Sequence, residues 1–283
     1  GATAPEIGPW ALTALAKRAA EGVELTSLHA SAGASQLSAR GLIDLTNGRP
    51  LLRAAADLDR LDAAIWQRFA GNSREPSGGR DAPLEAQSAA GVQAALSSWD
   101  ADVTLSVEAI VNAPVEVKDT RVDLGIAAGR LDADIGSTLL GSRLRGKVRF
   151  DASGAILALT ANLAAEDADI ARPAALVSGD DSVTGRLGSL DFQLSWEGER
   201  LSRLLDDVDL RLTMEGLDLA YGNDPSVGPV PLVIESLVAS ADHAEPMELS
   251  AQGSLIGQDF TLALSAGSLR QWLTKQPRPI HLT

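Results

Sequence analysis

Residues 101–110 read ADVTLSVEAI, with Val103, Leu105 and Val107 on one side of an extended chain and Thr104, Ser106 and Glu108 on the other. Unbroken alternation at a period of two predicts a strand whose one face is covered and whose other face is wet, as in an antiparallel sheet. The same pattern recurs in Val122/Leu124, Leu131/Ile135, Leu144/Val148/Phe150 and Leu157/Leu159/Leu163. It continues in Leu190/Phe192/Leu194, Leu210/Leu212/Met214, Leu217/Leu219/Tyr221, Leu249/Leu255 and Phe260/Leu262/Leu264. Roughly a dozen short strands joined by turns account for most of the length. A meander of that extent has to pack as a sandwich, close as a barrel, or curl into a trough whose apolar inner face receives something else.

A supersecondary unit repeats at 35–66, 137–176 and 247–273: a strand, a tight turn, a second strand and a short helix with one or two large apolar anchors. Repetition of a unit that cannot bury its apolar face alone points to an elongated architecture. Around the first copy, the spacing of Leu12, Leu15 and Ala19 predicts a helix over 10–21, with Gly22 as its stop. Strands are expected at 25–32, 36–45 and 51–59, with Asn47-Gly48 as a hairpin turn. A capping helix is expected over 61–69, where Ile65, Trp66 and Phe69 plug the end of a sheet. The Gly-, Ser- and Pro-rich stretch 71–82 reads as a mobile loop and 84–98 as a helical turn. The chain therefore divides into 1–70 (helix, hairpin, capping helix), 71–98 (loop and short helix) and 99–283 (a continuous meander).

Composition limits the function. The 283 residues are 45% hydrophobic but only 4% aromatic, which suits a thin or grooved interior. A formal charge of −14 opposes contact with nucleic acid, which draws its affinity from clustered Lys and Arg. Cysteine is absent, so there is no disulfide framework, thiolate nucleophile or sulfur-ligated metal. No run of about 18 apolar residues spans a bilayer. The extended segment that breaks off after Pro279 is what a piece of a longer protein would show, with targeting and anchoring segments elsewhere.

Residues 186–222, RLGSLDFQLSWEGERLSRLLDDVDLRLTMEGLDLAYG, set an alternating strand, a Gly-containing turn, an amphipathic helical turn (Leu201, Leu204, Leu205) and a further alternating strand in sequence. This order, repeated between Asp100 and Ala174, resembles the AsmA family of bacterial envelope proteins over nearly the whole chain. The run Asp206-Asp207-Val208-Asp209 departs from the small apolar residues and Gly usual there, and the family's N-terminal transmembrane helix is missing. The resemblance implies a mainly β fold: a long, antiparallel, strongly curved, taco-like sheet with an apolar inner face and short rim helices. It also implies a periplasmic location, anchorage to the inner membrane, and a part in phospholipid passage between the membranes of Gram-negative bacteria and in outer-membrane homeostasis.

The residues fit a non-enzymatic role. The expected groove lining is Val103, Leu105, Val107, Val122, Leu124, Leu131, Ile135, Leu144, Val148, Phe150, Leu157, Leu159, Leu190, Phe192, Leu194, Leu210, Leu212, Met214, Leu249, Phe260, Leu262 and Leu264. Its ligand is a phospholipid or another acyl chain, held without cofactor or metal. Burying methylenes contributes about 0.8 kcal/mol each, so a dozen offset departure from a bilayer without a specific polar contact. Trp66, Trp99 and Trp272 are expected to seal ends or edges, whereas core packing is the better reading of Trp196 and competes with sealing at Trp272. His29, His243 and His281 are scattered, and the acidic runs at 180–181 and 206–209 lack the spacing of a calcium loop. No nucleophile elbow, phosphate loop or HExxH helix occurs, and the glycines at 22, 33, 41, 48 and 125 read as turns. Two other readings stand beside the groove: an envelope scaffold that binds a protein partner through a sheet edge, and a carbohydrate-binding β-domain, for which the row of exposed aromatics is lacking.

Overall fold

Fifteen strands pair in the order in which they occur along the chain, in one sheet. The computed structural model describes residues 10–46, 48–63, 89–112, 117–139, 141–170, 183–199, 207–222, 229–242, 245–268 and 280–282. The strands are β1 (Trp10–Ala19), β2 (Gly22–Ala32), β3 (Ser35–Asp44), β4 (Leu51–Asp62), β5 (Asp100–Val111), β6 (Val117–Ala127), β7 (Arg130–Leu139) and β8 (Ser142–Asp151). They continue as β9 (Leu157–Asp169), β10 (Val183–Gly198), β11 (Val208–Tyr221), β12 (Val230–Ala241), β13 (Met247–Leu255), β14 (Gln258–Ala266) and β15 (Ile280–Leu282). One helix, α1 (Ala89–Ser97), is present among the described residues. The first and last strands do not pair, so the sheet is open. Among the described residues, substantial strand contacts run only between neighbours in this order, and no second sheet packs on either face. The chain is therefore mainly β and forms one long meander in a single sheet that is not closed into a barrel.

Two expectations need correction. Residues 10–19 form strand β1, not a helix, and pair with β2 from Trp10↔Ala32 to Ala19↔Gly22. The segment carries both periods, since Leu12, Ala14 and Ala16 also alternate, and the unpaired backbone edge of β2 decides between them. The sheet is also not wholly antiparallel: β4 and β5 run parallel, from Leu51↔Asp100 to Asp62↔Val111. Parallel neighbours need a long crossover, and residues 63–99 supply it, with α1 inside. The sheet thus runs without interruption across the stretch expected to divide the chain.

The hairpins of the three repeats are present as β3–β4, β8–β9 and β13–β14. Leu61 and Asp62 still belong to β4, while the remainder of the 61–69 capping helix beyond residue 63, the turn residue Asn47, the helical turn at 201–205 and the region of Trp272 lie outside the described residues. Gly22 and Gly33 lie at strand ends and turns, but Gly41 and Gly125 sit inside β3 and β6. At Gly41 a Cβ would lie 2.8 Å from the Arg53 carbonyl oxygen, so this glycine permits close approach of β4 rather than a turn.

Pairing is interrupted at one level across β9–β12 with the register kept. Leu187 pairs with Ala168 and Leu217, while Ser189 pairs with Glu166 and Glu215; Leu217 in turn pairs with Ile234 and Glu215 with Ser236. Each strand has one residue outside the ladder at this level, Asp167, Gly188, Gly216 and Glu235, and Asp167 (φ 58°) and Gly216 (φ 65°) take the left-handed conformation there. A single extra residue in one strand reverses which face its side chains occupy. Because all four strands carry it, Ala168, Leu187 and Leu217 still pack with Leu190, Met214 and Ile234, and the apolar face is the same on both sides of the break.

Candidate functional site: an apolar face fifteen strands wide

Following the register from strand to strand assigns every side chain to a face. Ala14 pairs with Leu28, then Ala39, Ala56, Leu105, Val122, Ile135 and Gly146. From Gly146 the same rung continues through Leu163, Phe192, Leu212, Ala239, Leu249 and Leu264 to Leu282. No polar residue interrupts it from β1 to β15. At the usual strand spacing it is about 65–70 Å long. A second rung, Ala54–Val103–Leu124–Ala133–Val148–Ala161–Leu194–Leu210–Ala241, runs beside it and is equally apolar.

All the expected lining residues fall on this one face. Leu144, Leu190, Met214 and Leu262 share a rung with Ala165, Leu237 and Ala251. Leu131, Phe150, Leu159, Trp196 and Val208 share another, at the rim. Val107 and Phe260 follow in phase with Leu105 and Leu262. Leu157 is fully buried against Trp196, so it is rim core rather than open lining. Leu163, which alternates with Leu157 and Leu159, stands on the continuous rung; sequence reasoning left out the small members of the rungs, Ala14, Ala39, Ala56 and Ala239. Their alternation was readable, but alanine carries little weight in a hydropathy pattern.

The opposite face is polar along the neighbouring rung: Thr13, His29, Ser38, Asp57, Ser106, Arg121, Gly136 and Arg145. Cross-strand pairs lock the register of β5–β8 from this side. Thr104 Oγ1 donates to Asp123 (2.6 Å), Arg149 Nε to Asp132 (2.7 Å) and Arg130 Nε to Asp151 (2.9 Å), and Lys147 lies 3.3 Å from Asp134. Three concavities, of about 840, 700 and 450 Å³, are bordered by residues of both faces: the first by His29, Asp57 and Arg121 with Leu58 and Val107, the second by Arg40 and Asp102 with Leu25 and Ala54, and the third by Arg145 and Asn162 with Leu163 and Phe192. His29, on the polar rung, borders the first of them. His281 lies in β15, and His243 is outside the described residues. Among the described residues no group of three His, Asp or Glu side chains could hold a metal ion.

Hydrogen bonds from Arg121 and then Thr104 hold the Asp123 carboxyl below the ordinary value of 3.8, and bonds from Ser153 and then Arg130 do the same for Asp151. A carboxyl whose folded value is depressed contributes stability above its unfolded value and loses it as pH falls through the folded one. Thermal stability is accordingly expected to be flat above about pH 4 and to decline below it, and Asp123→Asn is expected to flatten that acid limb when unfolding is followed between about pH 5 and pH 2. An equally steep limb in the variant would show that the pair does not act.

The apolar face is mostly half-buried, with low exposure at points such as Val107 (4%) and Leu187 (5%). Cover is explicit at one rim. There Val92 and Leu96 of α1 pack on the cluster Ala152, Leu157, Trp196 and Val208, together with Phe150, Leu159, Leu194 and Leu210. Gln93 Nε2 pins the helix by donating to the Ser153 carbonyl at 3.1 Å. Trp196, 1% exposed, is core, whereas Trp99 is 38% exposed; Trp66 and Trp272 lie outside the described residues. No helix among the described residues is long and apolar enough to cross a membrane. Comparison with protein-family models, curated proteins and solved structures gives no match to this chain.

Proposed function

We propose that this chain is a non-enzymatic lipid-handling domain that shields acyl chains on its apolar face. The observation that carries the reading is the rung from Ala14 to Leu282, apolar at all fifteen strands and overlaid by no second sheet. A sheet with such a face exposed to water would associate or aggregate, so the sheet is inferred to curl toward it around a hydrocarbon occupant. Headgroups would stay at the opening, in contact with solvent. The resemblance to the AsmA family supports a periplasmic site of action, inner-membrane anchorage through a transmembrane helix and a contribution to phospholipid transport and outer-membrane homeostasis.

Organic-solvent extraction of the purified protein, followed by mass spectrometry, is expected to release phospholipid in near-stoichiometric amount. Lipid-free protein that remains monomeric and stable would overturn the reading. A second reading, a scaffold that binds an envelope protein through a sheet edge, rests on β1, whose Leu12 and Leu15 are 58% and 62% exposed. Lipid-free protein that captures an extended peptide along β1 would favour it.

A further inference from the structure

Trp196 is fully buried, yet its indole Nε1 has no hydrogen-bond partner among the described residues. A buried donor without an acceptor carries the full cost of its desolvation, and such atoms are rare in folded proteins. The side chains packed around it, Ala152, Leu157, Val208, Val92 and Leu96 among them, offer no acceptor. The strand is shaped to hold the ring. At Gly198, two residues on, a Cβ would sit 2.7 Å from Cζ2 and 3.3 Å from Nε1 of the indole, so only glycine leaves the ring this position. Phenylalanine would fill an apolar rim without the unpaired N–H.

The position of the donor suggests its acceptor. Trp196 belongs to the rim rung with Leu131, Phe150, Leu159 and Val208, next to the rung of Leu194 and Leu210. A hydrocarbon chain lying on the apolar face ends its apolar run there, where a lipid carries its first polar atoms. Resting on the acyl-groove reading, we infer that Trp196 is the polar recognition point of this face: its Nε1–H donates to the carbonyl oxygen of an ester-linked acyl chain. Val92 and Leu96 of α1 pack on this cluster, so seating the chain requires them to give way. The ligand class is thereby narrowed from any hydrocarbon to acyl esters.

Ester-linked and ether-linked lysophosphatidylcholines of equal chain length differ at this carbonyl and share headgroup and tail, so they serve as probes for the full chain. The wild-type protein is expected to bind the ester form about fivefold more tightly, the range of one neutral hydrogen bond. Trp196→Phe is expected to bind both forms with the wild-type affinity for the ether. In the wild type, the indole ¹H–¹⁵N resonance of Trp196 is expected to move downfield with the ester form only, a readout that does not depend on the variant folding. Equal binding of the two forms by the wild type, a preference retained in Trp196→Phe, or an unmoved indole resonance would overturn the assignment while leaving the groove intact. Failure of the wild type to bind either form would overturn the groove reading itself.

Discussion

Trp196→Ala is expected to destabilise the region around β8–β11 by about 3–5 kcal/mol, the cost of deleting a large, fully buried aromatic ring. The ring ties Ala152 and Leu157, at the β8–β9 junction, to Val208 at the start of β11 and to Val92 and Leu96 of α1. In a sandwich such a loss would be shared with a facing layer. Here each strand touches mainly its neighbours, so the damage should stay local. Amide exchange is therefore expected to rise in β8–β11 and α1, with β1–β3 keeping their protection. A loss under about 1 kcal/mol, the level of a surface change, would contradict the placement of Trp196 as the rim core.

The second large effect is expected from Phe192→Asp, compared with Gln193→Asp one residue along the same strand. Phe192 stands in the middle of the continuous rung between Leu163 and Leu212, while Gln193 pairs with Asn162 and Arg211 on the opposite face. A carboxylate at 192 would have to be desolvated beneath any acyl chain, and an ion buried without a partner is strongly disfavoured. Co-purified phospholipid should fall at least tenfold for Phe192→Asp and stay unchanged for Gln193→Asp. Equal retention in both would show that lipid, if bound, does not lie on this face.

The alternation that makes Phe192 and Gln193 opposites is visible in the sequence. So are the strand content, the hairpins of the repeats and the grouping of Val103, Leu124, Val148, Leu194 and Leu210 into one surface, because parity along a strand depends only on local order. Three features were not legible, each for a physical reason. The parallel joint between β4 and β5 is a non-local pairing, and no local pattern encodes which strand a crossover returns to. At β1, Leu12 and Leu15 fit a helix and Leu12, Ala14 and Ala16 fit a strand; the open edge of β2 selects the strand. At Gly216 the alternation changes phase between Met214 and Leu217, so a sequence reading takes Leu210–Met214 and Leu217–Tyr221 as two strands. The left-handed glycine lets them be one. The rim core was legible in part: Trp196 reads as packed, but its partners Val92 and Leu96 come from a crossover helix about a hundred residues earlier.

Photo-crosslinking places the occupant of the apolar face most directly. A benzophenone amino acid at Ala39, Leu163 or Ala239, all on the continuous rung, is compared with the same group at Ser38, Asn162 or Ser240, one residue away on the polar face. With radiolabelled phospholipid in the expressing cells, the acyl groove predicts crosslinked lipid at all three rung positions and none at the polar ones. Absence of lipid from the rung positions, or equal labelling of the two faces, would contradict it.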